Sequence, residues 1–131
     1  MYEIAMYEIG IIDEFEAAHA LTGDFGPAAR LHGHTYRVEL RVTARAVDAT
    51  GAIYDIGKLR ADLAAVLAEM HYRNLNDLAE LAGVNTTAEM VARHIFKRIE
   101  PPLRSASLAG LKVTVWESPS VFASYREEFA P

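Results

Sequence analysis

The feature that most constrains the fold of this chain is the run 32–43, in which the character of the side chains alternates. One set of alternate positions is His32, His34, Tyr36, Val38, Leu40 and Val42, and the other is Gly33, Thr35, Arg37, Glu39, Arg41 and Thr43. Successive side chains of a β-strand point to opposite faces, so the first set forms a mainly apolar face and the second a polar one. The run therefore predicts a strand of an antiparallel sheet that has one face in water.

Three other runs predict further strands. Residues 9–19 also alternate, and one face carries Ile9, Ile11, Asp13, Phe15, Ala17 and His19. The loop over 22–29 is short and contains Gly and Pro, which favours a hairpin between this run and 32–43. Runs over 111–116 and 121–125 predict two more strands.

Two helices are predicted between these strand pairs. The first runs from about Gly57 to His71, with Asp55 as its predicted cap. The second runs from about Thr87 to Ile99 and is preceded by Thr86-Thr87-Ala88-Glu89, which is typical of a capping box. Pro101-Pro102 is expected to stop the second helix.

The element order is therefore ββααββ, an α+β fold with a four-stranded antiparallel sheet and both helices on one face. A chain of 131 residues, 51% hydrophobic, suits one domain spanning 1–131. Such an open sheet leaves unpaired edges, and pairing them between subunits predicts a closed homo-oligomer.

Composition excludes several classes of function. The net charge of −5 and the lack of a basic stripe argue against a nucleic-acid partner. No apolar run reaches the roughly 18 residues of a membrane span, and no signal-peptide pattern is present, so a cytoplasmic protein is expected. The chain has no cysteine, so a metal ion would need histidine or carboxylate ligands.

Three of the five histidines are predicted to meet at one end of the hairpin. His32 and His34 share a strand face, and a hairpin brings His19 beside them. Three histidines with one open position form the ligand set of a catalytic zinc site. The alternative is that all three are ordinary polar residues at a strand end.

Several segments resemble those of the 6-pyruvoyltetrahydropterin synthase and 6-carboxytetrahydropterin synthase family. They are FEAAH (15–19), LHGHTY (31–36), YDIGKL (54–59), RNLN (73–76), NTTAE (85–89) and VTVWES (113–118). They cover nearly the whole chain, in order. The resemblance implies the tunnelling fold, usually a homohexamer whose active sites lie between subunits.

The resemblance also implies roles for particular residues. His19, His32 and His34 would bind Zn²⁺, and Glu117 would hold the 2-amino and ring N–H groups of a pterin. Thr86 and Thr87, in the NTTAE segment, would contribute to substrate binding.

The proton-transfer residues of the family are replaced in this chain. Ala28 stands where family enzymes carry a cysteine, and an ungapped reading places His71 and Tyr72 at the family's Asp-His pair. A one-residue slip would instead put His71 at the catalytic histidine and Met70 at the aspartate. Since an imidazole or a phenol can move protons, His71 and Tyr72 are the predicted catalytic residues.

Two functions follow as expectations. The first is a zinc-dependent, lyase-like enzyme that acts on the side chain of a dihydropterin. The alternative is a catalytically impaired homologue that binds zinc and a pterin-like ligand as a sensor, carrier or partner subunit.

Overall fold

A computed structural model describes residues 5–130. The strands are β1 (Tyr7–His19), β2 (His32–Ala44), β3 (Arg73–Asn74), β4 (Gly110–Ser118) and β5 (Val121–Glu128). The helices are α1 (Ile56–Ala68) and α2 (Ala88–Arg104), and three short 3₁₀ turns lie at Gly26–Ala29, Leu75–Asp77 and Ala79–Leu81.

The strands form one sheet in the order β3-β1-β2-β4-β5. The β1–β2 hairpin is confirmed as antiparallel, with His19 opposite His32, and β2–β4 and β4–β5 are also antiparallel. The predicted count of four strands was wrong, because β3 adds a fifth that runs parallel to the end of β1. Two residues are too few to show the alternation that identifies a strand in sequence.

The predicted faces of the sheet are confirmed by burial. Ile11, Phe15, Tyr36, Val38 and Leu40 are buried on one face, and the positions between them are mostly exposed. Both helices add buried residues to the same core, including Leu59 and Leu63 of α1 and Val91, Ile95 and Ile99 of α2. The α+β architecture with both helices on one face is therefore as predicted.

The end of α1 and the cap of α2 differ from the predictions. Helix α1 begins after Asp55, whose carboxylate accepts a bond from the Lys58 amide at 3.2 Å, but it ends at Ala68, before the predicted His71. Helix α2 is capped by Thr87, whose hydroxyl accepts from the Met90 amide at 3.3 Å. Met90, and not an acidic residue, therefore occupies the third helical position, so only the first half of a capping box forms.

The prediction that Pro101-Pro102 stops α2 was wrong, because the helix continues to Arg104. Each proline removes one backbone N–H donor from the helix, so other contacts must hold the last turn. The fully buried Leu103 anchors the last turn in the core, and the Ser105 hydroxyl donates to the Pro101 and Pro102 carbonyls.

Neither helix of the described chain, 5–130, is long and apolar enough to cross a membrane.

Candidate metal and ligand site

The three predicted histidines meet at one end of the β1–β2 hairpin. His19 ends β1 and lies opposite His32, the first residue of β2, while His34 lies two residues further along the same face. One ligand atom from each ring lies within 4.8 Å of the other two. His19 is buried, and His32 and His34 are half-buried. The hairpin register therefore gathers three imidazoles around one point, as the sequence predicted.

Hydrogen bonds determine which nitrogen of two of these rings faces that point. The Nδ1 of His19 lies 2.7 Å from the Thr86 carbonyl oxygen, and the Nδ1 of His32 lies 2.7 Å from the Arg30 carbonyl oxygen. A carbonyl can only accept, so each Nδ1 carries the proton and leaves an Nε2 lone pair free. A backbone carbonyl on the outer nitrogen is the usual way to orient a metal-binding histidine.

The inner nitrogens lack other partners. The Nε2 atoms of His19 and His34 are buried, and neither has a hydrogen-bond partner among residues 5–130. Burial lowers the pKa of His19, and the neighbouring His32 and His34 lower it further, against the opposing effect of the Thr86 carbonyl and Glu117. The neutral ring, which is the form that binds a metal, is therefore favoured. The donor set fits one divalent cation.

Two asparagine side chains hold the segment that follows His19. The Asn76 amide accepts from the Ala20 N–H at 2.8 Å and donates to the Ala20 carbonyl at 3.1 Å. The Asn85 amide makes the same pair of bonds with Thr22, at 2.9 and 3.0 Å. Each amide thus replaces a neighbouring strand. Sequence reasoning assigned these asparagines no role, although both lie in segments that carry the family resemblance.

Thr86 and Thr87 make structural contacts in this chain. Thr86 is fully buried and its carbonyl orients His19, while Thr87 caps α2. The predicted contact of these two residues with a substrate stays a prediction.

Glu117 and Tyr36 extend the site away from the histidines. Trp116 pairs with Arg37, so the next residues, Glu117 and Tyr36, are neighbours where the β2–β4 ladder ends. The Glu117 carboxylate raises the pKa of His19, and burial together with Glu117 raises the pKa of Tyr36. The site therefore has a histidine end and a carboxylate end, with Tyr36 between them.

The predicted catalytic residues, His71 and Tyr72, lie at the outer edge of β1 and outside the histidine cluster. The Nδ1 of His71 accepts a bond from the Glu16 amide at 3.0 Å, and the Tyr72 amide donates to the Glu16 carbonyl at 2.6 Å. Tyr72 has a φ of 57°, the residue is 77% exposed, and it lines a groove with Gly33 and Thr35 of the polar face of the sheet. Within one chain, neither residue is part of the cluster formed by His19, His32 and His34.

Ala28, at the position of the family's cysteine, lies in the turn Gly26–Ala29, and its carbonyl accepts from the Leu21 amide. Its methyl group can neither take nor give a proton.

Comparisons of the sequence and of the fold with known proteins match this chain to related proteins over most of its length. Residues 8–128 match a family model described as 6-pyruvoyl tetrahydropterin synthase. A 6-carboxy-5,6,7,8-tetrahydropterin synthase of Synechocystis sp. is 32% identical over 117 residues, covering 85% of this chain and 86% of that protein. A dihydroneopterin monophosphate aldolase of Pyrococcus furiosus is 31% identical over 103 residues, covering 79% and 82%. The solved structure of Caenorhabditis elegans 6-pyruvoyl tetrahydropterin synthase is similar with a TM-score of 0.81 and 26% identity, covering 97% of this chain and 99% of that chain.

Proposed function

This chain belongs to the 6-pyruvoyl tetrahydropterin synthase family of enzymes that process pterin side chains, and we propose that it is a zinc-dependent, lyase-like enzyme acting on a dihydropterin. The relatives include both synthases and an aldolase by name, so family membership leaves the individual reaction open. The finer proposal therefore rests on the residues of the site, His19, His32, His34 and Glu117.

The convergence of one ring nitrogen from each of three histidines is the observation that carries the proposal. His19, His32 and His34 would hold the metal through one nitrogen each, and these three nitrogens lie within 4.8 Å of one another. Three neutral imidazoles with one open position suit Zn²⁺ in a catalytic role. A zinc ion bound there would supply Lewis acidity toward the oxygens of a pterin side chain.

Glu117 is proposed to hold the pterin ring. A carboxylate accepts on both oxygens, so it can take two parallel N–H bonds from the 2-amino group and the adjacent ring nitrogen. Its position at the end of β4, beside Tyr36, separates the ring from the metal end of the site. The ring and the side chain of one ligand would then be held at opposite ends.

His71 and Tyr72 are the proposed proton-transfer groups. Since His71 lies at the β1 edge within its own chain, its use would require a site completed by a neighbouring subunit. Within 5–130, the outer edge of β5 has no strand partner, and the outer edge of β1 is paired only where β3 lies beside its end. Val121 and Phe122 are exposed on β5. Pairing such edges supports the proposed homo-oligomer, with a hexamer expected from the family resemblance. A cytoplasmic location remains a prediction from the sequence.

A second candidate function is supported by the altered chemistry. Ala28 offers no proton-transferring atom, and His71 lies apart from the histidine cluster. A homologue that binds zinc and a pterin without turnover would keep the three histidines and Glu117 but would lack proton-transfer groups beside them. Such a protein would act as a sensor, carrier or partner subunit.

The test begins with the metal content of freshly purified protein and of a His32→Ala variant. One equivalent of zinc in the parent and a strong loss in the variant are expected. Metal-loaded protein is then incubated with dihydroneopterin triphosphate and the products are separated by chromatography.

A new pterin product that disappears in His71→Ala or Tyr72→Phe supports the enzyme, and His94→Ala on α2 serves as the histidine control. Tight binding without product supports the second candidate. A parent protein that binds neither zinc nor pterin contradicts both.

A further inference from the structure

The hydroxyl of Tyr36 is a buried polar group that the rest of the chain does not satisfy. The residue is fully buried, and its OH has no hydrogen-bond partner in the described range 5–130. Its ring stacks on Phe15 at a centroid distance of 4.7 Å. A phenylalanine would make the same stack without an unpartnered polar atom. Because buried hydroxyls are nearly always bonded, this one calls for a partner outside the chain.

The position of Tyr36 indicates where that partner lies. Its ring is 5.3 Å from that of His34 and 5.9 Å from that of His19, and Glu117 follows its ladder neighbour on β4. Tyr36 thus lies between the histidine cluster and the carboxylate. A ligand held by both the histidines and Glu117 would therefore lie beside Tyr36.

The chemistry of a pterin supplies a matching acceptor. Glu117 would take the 2-amino and N3–H groups, and the side chain that reaches the histidines is attached at C6. Ring nitrogen N5 is bonded to C6 and, in a 7,8-dihydropterin or an oxidised pterin, carries a lone pair and no hydrogen. A phenol hydroxyl is a suitable donor to such a nitrogen.

We infer that Tyr36 is a ligand-binding residue whose hydroxyl donates a hydrogen bond to N5 of the bound pterin. This inference rests on the proposed function, since it takes Glu117 and the histidines as the two ends of the ligand site. It adds a contact at the ring atom next to the reacting side chain. The contact fixes the ring orientation and favours ring states in which N5 is an acceptor.

The experiment compares ligand binding by the parent, Tyr36→Phe and Tyr125→Phe proteins, each used as purified. Tyr125 is the matched control because it also lies on the helix-facing side of the sheet, but its hydroxyl donates to Glu127 at 2.6 Å. The probes are 6-hydroxymethylpterin and its 5-deaza analogue, which has C–H in place of N5. Affinity is measured by fluorescence titration, and Tm is measured without ligand.

Tyr36→Phe is expected to weaken 6-hydroxymethylpterin binding about 3- to 10-fold, the value of one net hydrogen bond. The parent should prefer the pterin over the 5-deaza analogue by a similar factor, and Tyr36→Phe should not discriminate between the two. Without ligand, Tyr36→Phe should keep or raise Tm, whereas Tyr125→Phe should lower Tm and leave both affinities unchanged.

Three results would overturn the inference while leaving the proposed function intact. They are unchanged affinity in Tyr36→Phe, continued discrimination by that variant, or a Tm loss like that of Tyr125→Phe, which would reveal an internal partner. If the parent binds neither probe nor zinc, the proposed function and the inference fail together.

Discussion

Replacing Asn85 with alanine is expected to weaken metal binding although Asn85 is not a metal ligand. Its amide makes two bonds with Thr22, and the next residue, Thr86, supplies the carbonyl that orients His19. Asn85 therefore ties the segment after His19 to the carbonyl that holds the ring. Without these bonds, the His19–Thr86 contact is expected to loosen.

The magnitude follows from the bonds removed. Two hydrogen bonds of about 0.5–1.5 kcal/mol each give a loss of about 1–3 kcal/mol in the free energy of unfolding. For a chain of this size, that corresponds to a fall in Tm of roughly 3–10 °C. Loss of an orienting contact to a metal-binding histidine typically reduces metal affinity about 10- to 100-fold.

The assay is zinc competition against a chromophoric chelator, with chemical denaturation in parallel on the metal-free protein. Asn85→Asp keeps an acceptor for the Thr22 amide and loses the donor, so it should show an intermediate effect. Thr50→Ala is the control, because its hydroxyl bonds only to Asp48 in a remote exposed turn. That variant should bind zinc like the parent.

Unchanged zinc affinity in Asn85→Ala, together with the expected loss of stability, would refute the reasoning. It would mean that the strand register alone holds His19 in place. An equal loss of affinity in Thr50→Ala would also refute it, because the effect would then follow global stability.

Three further predictions concern other parts of the fold. Leu103→Ala, at a fully buried position in the last turn of α2, should lower the free energy of unfolding by about 2–5 kcal/mol in urea titrations. Tyr72→Gly should raise the free energy of unfolding by up to about 1 kcal/mol, because φ at this position is 57° and glycine adopts that conformation without strain. The same variant should remove turnover in the product assay if the Tyr72 phenol moves protons. Hydrogen bonds from Lys97 and Tyr125 lower the pKa of Glu127 from 4.5 to about 2. The stability that the Glu127 carboxylate contributes is therefore present above pH 4.5 and is lost as the pH falls toward 2. The Tm difference between the parent and Glu127→Gln, followed by circular dichroism, should therefore shrink over that range.

The sheet and the histidine cluster could be predicted from the sequence because both depend on local pattern. Alternation fixed the faces of 9–19 and 32–43, and a short loop between them fixed which strand ends meet. The end of α1 was missed for a related reason. Met70 is fully buried and continues the apolar spacing of α1, yet it lies beyond the helix, so spacing alone extends the helix too far.

Other features depend on contacts between distant residues that leave no local signal. Asn76 and Asn85 bond to residues 56 and 63 positions away. Nothing in the periodicity of either segment distinguishes a side chain that replaces a strand from one in a turn. The orientation of His19 by Thr86 likewise joins positions 67 apart. The position of His71 beside Glu16 also requires the tertiary structure, because it depends on how the chain leaves α1.

The use of polar atoms separates the parts of the site that hold the fold from the parts available to a ligand. The Thr86 carbonyl and the two asparagine amides are all bonded within the chain. Of the five buried side-chain atoms without a partner in the described chain, three lie together at one end of the hairpin, on His19, His34 and Tyr36. Each such atom destabilises the ligand-free protein. Binding of a cation and a pterin would satisfy all three, so ligands that bind only the folded state should stabilise it by more than their contacts with exposed groups alone would give.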